Sequence, residues 1–252
     1  MSGPDAPLSV GVDGCRAGWI AVAHDGAELT YRVHSRFSEL LASWRGANRI
    51  LVDIPIGLPW RDCPSRPCDA QARALLGPRA SSVFSPPSRR ASRAADIGQA
   101  RAWNLDEVGR SLSAQAWGIC RKIVEVDQVL LENPDASRNV IEIHPEICLW
   151  GLNGGKPMRH GKSKAEGIKE RLALLSIWQP EAEIFLKRVL RETRRKDVQA
   201  DDVIDALVAH VTGRAASSEI RRLVGVPSED DQGLPIQMLF CHHRSAVQPP
   251  GS

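Results

Sequence analysis

Four aspartates stand where an apolar chain least tolerates a charge. Asp13 follows the apolar run 8–12, Asp53 interrupts the run 50–54, and Asp202 and Asp205 open an apolar stretch that continues to Val211. A carboxylate at the end of a buried strand is costly unless it is paired or binds a metal. The spacing of Asp202 and Asp205 puts both on one helical face. That face belongs to a helix whose other positions are Val203, Ile204, Ala206, Leu207 and Val208, which places Asp205 at the core boundary. Three elements distant in sequence therefore each carry a carboxylate to a place where it would be expensive alone. One divalent cation, or two, would offset the cost for all of them. Taken singly, each has an ordinary explanation: a turn at Asp13-Gly14, a strand end at Asp53, a helix cap at Asp201 or Asp202.

The surrounding pattern predicts the elements that carry these acids. Residues 8–12, 19–23 and 29–33 read as three strands, the last two joined by Asp25-Gly26, a strong hairpin signal. Phe37, Leu40, Leu41 and Trp44 recur at helical spacing. The run 50–54 suits a strand buried on both faces, as in a parallel part of a sheet. A long proline-rich stretch follows to about residue 90, with only 69–76 helical inside it. Its arginines, Arg66, Arg73, Arg79, Arg89, Arg90 and Arg93, are expected either to be solvated or to contact phosphates. Ser111 is expected to cap a helix reaching 131, and 140–143 reads as a further strand. Helices are predicted over 168–177, 184–190 and 203–211, and a last strand over 235–240.

The 252 residues, 42% apolar and 25% charged, suit one domain spanning the chain, with its core at about 8–240. A net charge of +3 argues neither for nor against a polyanionic partner. No apolar run approaches the length of a membrane span. Residues 1–7 are small and polar, unlike a signal segment, so a cytoplasmic location is expected. The six cysteines then read as reduced thiols.

The order of these features resembles the ribonuclease-H-like superfamily, and within it the RuvC-type resolvases, whose last catalytic helix is similar to 201–210. More specifically, the chain resembles a bacterial family described as predicted ribonuclease-H-like nucleases, a domain of unknown function. The matching segments are VGVDGCRAGW (10–19), VDIPIGLP (52–59), CDAQAR (68–73), SSVFSPPSR (81–89), LSAQAWGICRKIVEVD (112–127), EIHPEICLWGLNGGKPM (142–158) and DDVIDALVAH (201–210).

The resemblance implies an α/β fold with a mixed five-stranded sheet, an antiparallel three-stranded meander plus parallel strands, flanked by helices and carrying insertions. It implies metal ligands at Asp13, Asp53, Asp202 and Asp205, with magnesium or manganese as the ion. Glu142, His144 and Glu146 would be further catalytic residues peculiar to this family. The implied reaction is two-metal hydrolysis of phosphodiester bonds, with DNA or RNA as partner. Arg and Lys from 66–93, or Lys156, Arg159, Lys162 and Lys164, would hold phosphates.

Two other readings come from different classes. A binding module could keep the fold without catalysis. A sugar-kinase or actin-type phosphotransferase shares an Asp-Gly turn on its first strand but needs two such domains. The near-P-loop at 155–163 has five residues between its glycines where four are required.

Overall fold

The computed structural model describes residues 8–242, so the reading of 1–7 lies outside it. Strands β1 (Ser9–Cys15), β2 (Gly18–Asp25) and β3 (Glu28–His34) form an antiparallel meander, followed by helix α1 (Phe37–Ser43). Strand β4 (Arg49–Val52) then pairs parallel to β1, and β5 (Val140–Glu142) pairs parallel to β4. The sheet order is β3-β2-β1-β4-β5. This is the mixed five-stranded arrangement that the resemblance implied. Gly26, at φ +61°, turns the β2–β3 hairpin as expected.

Between β4 and β5 run α2 (Pro67–Leu76), α3 (Arg89–Ser92), α4 (Ile97–Val108) and the long α5 (Ala114–Glu132). After β5 come α6 (Pro145–Leu152), α7 (Ala165–Trp178), α8 (Ala182–Glu192) and α9 (Ala200–Arg214). Four short strands follow: β6 (Ile220–Arg222), β7 (Ser228–Glu229), β8 (Pro235–Ile236) and β9 (Leu239–Cys241).

Strand alternation divides the core in two. Val10, Val12, Trp19 and Ala21 pack with Phe37 and Leu40 of α1 and with Ile123, Val126 and Leu130 of α5. Ile20, Val22 and Leu51 face the other way, toward Val203, Ile204 and Leu207 of α9 and the apolar sides of α2, α6 and α8. Among the described residues no helix is long and apolar enough to cross a membrane, and all six cysteines are free thiols.

Several local expectations are corrected. Helix α4 was not anticipated, because only Ala100, Asn104 and Val108 of it are buried and the apolar stripe is weak. Its ends were nevertheless written in the chain: Asp96 accepts from the Gln99 amide, and Gly109 closes the helix at φ +69°. The cap of α5 is Ser113, whose hydroxyl accepts from the Ala116 amide, and not Ser111. The single strand expected over 235–240 is two fragments, β8 and β9, which pair with β7 and β6 in separate two-stranded sheets.

The close approach of α9 to β1 decides where the acids go. A Cβ on Gly11 would lie 2.1 Å from the Ala206 carbonyl oxygen and 2.2 Å from the His210 amide nitrogen. One on Gly213 would lie 1.9 Å from the Ser9 hydroxyl. At this seam His210 Nδ1 donates to the Ser9 carbonyl at 2.9 Å, so its Nε2 accepts from His24 Nδ1 at 2.8 Å. Burial, with help from His24 and Arg214, pushes His210 down to about 3 from 6.5.

Gly11→Ala should destabilise the protein by roughly 1–3 kcal/mol or more in chemical denaturation, because the seam has no room to give. A wild-type midpoint would remove the close-packing argument. For His210, the depressed folded-state pKa means that its stabilisation is complete above pH 6.5 and is lost as pH falls toward 3. The stability gap between wild type and His210→Gln should therefore narrow from pH 7 to pH 4; a constant gap would show that His210 does not stay neutral.

Candidate metal centre

The parallel strands end together, and their ends carry acids. Asp13 lies within β1, its Oδ1 accepting from the Gly14 amide at 2.7 Å, so it is a strand residue and not a turn. Asp53 follows β4 directly, and its amide donates to the Val12 carbonyl at 3.0 Å, which seats it beside Asp13. Glu142 ends β5 in register with Val52. The sheet reverses its winding at β1, and the space beyond the carboxyl ends of strands at such a switch is where open α/β sheets bind ligands.

From the other side α9 presents Asp202 and Asp205. Asp205 is 2% exposed and Asp13 is 8% exposed. The helix cap is Gln199 and not Asp201 or Asp202; Asp202 sits at the third helical position, where its carboxylate accepts from the Gln199 amide at 2.9 Å. A cavity of about 410 Å³ is lined by all seven residues read from the sequence: Asp13, Asp53, Asp202, Asp205, Glu142, His144 and Glu146.

These seven are not equivalent. Glu142 is held by Arg66 at 2.6 Å and accepts from the Ile56 amide at 2.7 Å. Burial pushes its carboxyl up to about 8 against the pull of Arg66. Glu146 Oε1 is held by Arg171 and lies 3.5 Å from Arg79, while its Oε2 is buried without a partner. His144 caps α6, with Nε2 3.2 Å from the Ser82 carbonyl and Nδ1 unpartnered. Among the described residues no arginine is bonded to Asp13, Asp53, Asp202 or Asp205. The one side-chain cation bonded to any of them, among the described residues, is Lys162. Its ammonium is 2.7 Å from Asp205 and 3.8 Å from Asp201.

Electrostatics follow from this crowding. Burial, then repulsion from Asp53 and Asp205, holds the Asp13 carboxyl well above its ordinary range. Burial also raises Asp205 against the pull of Lys162. It pushes Asp53 up to about 6, opposed by His144, and Asp202 up to about 6, opposed by its bond to Gln199. Burial disfavours the Lys162 ammonium, yet Asp205, Asp13 and Asp53 outweigh it and keep the lysine charged.

The basic loop, expected to be solvated or to contact phosphates, is mostly internal scaffolding. Arg66 is fully buried between Glu142 and Asp69. Arg89 bonds Asp127, Asp230 and Asp231, and Arg93 bonds Asp127 at 2.7 Å. Arg73 donates to the Val83 carbonyl and the Ser85 hydroxyl. Acids brought from α5, β5 and the 230–231 turn consume these charges, a pairing that the local sequence does not display. Of the group, only Arg79 lines the cavity. Of the four cations after the 153–155 turn, only Lys162 does. Sequence reading missed Arg171, Gln115 and Lys122. Gln115, Ile119 and Lys122 are spaced i, i+4 and i+7, a helical face that could have been read from α5.

The family model described as "Protein of unknown function (DUF429)" matches residues 11–230. The chain belongs to this family. The matched span holds every residue that lines the cavity except Met238. No curated protein and no solved structure matches the chain.

A raised folded-state pKa gives stability that is complete below the unfolded pKa near 3.8 and lost as pH rises through about 6. Without added metal, Asp53→Asn should therefore be more stable than wild type at pH 8, by about 1–3 kcal/mol. The advantage should shrink toward pH 4. Urea midpoints across this range test it, and an advantage independent of pH would refute the electrostatic origin.

Proposed function

We propose that this protein is a metal-dependent phosphodiesterase acting on nucleic acid, with Asp13, Asp53, Asp202 and Asp205 holding magnesium or manganese. The observation that supports it is the convergence of four carboxylates from three elements on one cavity with a lysine as their only bonded side-chain cation among the described residues. An all-oxygen donor set suits a hard cation. The fit carries one condition. Among the described residues, no three acidic, histidine or cysteine side chains are drawn together closely enough to enclose an ion. An ion therefore requires Lys162 to leave Asp205 and the carboxylates to close inward.

When bound, such an ion supplies an activated water and neutralises charge developing at phosphorus. The chain's own residues do the rest. Lys162 and Arg79 hold phosphate oxygens, each by charge-assisted hydrogen bonds. His144, with a free ring nitrogen, moves a proton at the edge of the cavity. Glu142 and Glu146 act as positioning residues: Glu142 fixes Arg66 and the backbone at Ile56, and Glu146 fixes Arg79 and Arg171.

One observation favours a second reading. Lys162 resting on Asp205 also suits a non-catalytic nucleic-acid-binding module in which the lysine is a permanent counter-ion. Manganese titration calorimetry separates the two. A phosphodiesterase should bind manganese, lose that binding in Asp205→Asn, and bind it more tightly in Lys162→Ala. Cleavage of a labelled oligonucleotide should require the metal and disappear in Asp13→Asn. Absence of manganese binding, or cleavage that survives Asp13→Asn, would reject the phosphodiesterase.

A further inference from the structure

We infer that the groove adjoining the acid cavity, walled by Arg16 and Arg121, carries the phosphodiester backbone of a single nucleic-acid strand whose neighbouring phosphate lies over the carboxylates. This deepens the phosphodiesterase reading and rests on it.

The groove, of about 720 Å³, shares Gly14, Lys122 and Asp202 with the cavity, so the two adjoin. Arg16 stands at the turn between β1 and β2, three residues from Asp13. Arg121 projects from α5 next to Lys122. Both arginines are exposed and line the groove, and neither has a hydrogen-bond or ion-pair partner among the described residues. Arg66, Arg89 and Arg93 show the alternative, since each is committed to acids within the fold. Among the described residues no acid of the groove is bonded to either arginine. Glu125 accepts from the Trp19 indole and the Phe37 amide, and Asp201 and Asp202 face Lys162 and the Gln199 amide.

Gly14 forms the floor where groove meets cavity. A Cβ there would lie 2.6 Å from Lys122 Cδ. Its absence lets Lys122 lie across the strand, with its ammonium donating to the Gly18 carbonyl and 4.4 Å from the centre of the Trp19 ring. The hairpin motif Asp13-Gly-Cys-Arg16-Ala-Gly18-Trp19 thus places an acid in the cavity and a guanidinium in the groove, with the bare backbone of Gly14 next to the acid.

The strand must be single at this point. Asp13 and Asp205 are buried in a cavity whose volume holds one small ligand, so a phosphodiester reaches them only on a nucleotide that has left its stack. A free phosphate track serves any sequence and either sugar, because the contacts are to phosphate.

The test is anisotropy of fluorescein-labelled oligothymidylate and oligouridylate, titrated with protein across a salt series, once in calcium and once in EDTA. The double variant Arg16→Gln/Arg121→Gln should bind roughly tenfold more weakly. Its slope of log K against log salt should be shallower by about 1.4, at ~0.7 per lost phosphate contact. Arg45→Gln, beside the start of β4 at the opposite end of the sheet, should change neither. Equal affinity and slope in the double variant would overturn the proposal. So would a wild type that binds no strand, or a duplex bound as tightly as its single strand. Manganese calorimetry on the same proteins keeps the two readings apart. If wild type binds no manganese but strand binding still depends on Arg16 and Arg121, the phosphodiesterase fails and the track stands. If manganese binds and the double variant holds the strand normally, only the track fails.

Discussion

Helix α9 lies against a strand whose backbone is bare at the point of contact. Gly11 offers no side chain beneath Ala206 and His210, and Gly213 offers none above Ser9. Helix and strand therefore approach more closely than any pair with a Cβ between them could. Asp205 and Asp202 are carried by that helix, and Asp13 lies two residues beyond Gly11 on the strand. The same contact that closes the core thus presses three carboxylates toward one space, and the parallel pairing of β4 with β1 adds Asp53. The elevated carboxyl pKa values are a consequence of this packing: burial comes first and mutual repulsion follows. Close packing holds the acids in place against their own electrostatics.

A second layer of charge works in the opposite sense. Arg66 with Glu142 and Asp69, Arg171 with Glu146, and Arg89 with Asp127, Asp230 and Asp231 are pairs in which burial is matched by a partner. The Arg66 and Arg89 groups tie the proline-rich segment after β4 to α5, β5 and the 230–231 turn, and Arg171 with Glu146 ties α7 to α6. The contrast between the two layers distinguishes scaffold from candidate site. Among the described residues Asp13, Asp53, Asp202 and Asp205 have no arginine partner, whereas Glu142 and Glu146 line the same cavity tied to Arg66 and Arg171.

Much of the fold was legible because its signals are local. Alternation, the Asp25-Gly26 turn and the helical spacing of 203–211 depend on neighbours in sequence. The four aspartates were legible for the same reason, since each breaks an apolar run. Helix α4 was missed because its buried face is only Ala100, Asn104 and Val108, although its caps at Asp96 and Gly109 are ordinary ones. The arginines of 66–93 were misread because local composition shows a charge but not its partner. Asp127 lies 34 residues from Arg93, and Asp231 lies 142 from Arg89.

By itself, then, the sequence determined the meander and parallel strands, the helix that carries Asp205 and His210, and which acids are expensive. Those are properties of periodicity and of the cost of burying charge, which act along the chain. Only the tertiary structure decided that all seven acid and histidine positions share one cavity, that Glu142 and Glu146 are tied to buried arginines, and that Lys162 is the lysine that reaches Asp205. It also decided that Arg16 and Arg121 stand beside that cavity without a side-chain partner among the described residues. Charge pairing is a matter of distance in space, and the chain brings these groups together only when α9 settles onto Gly11.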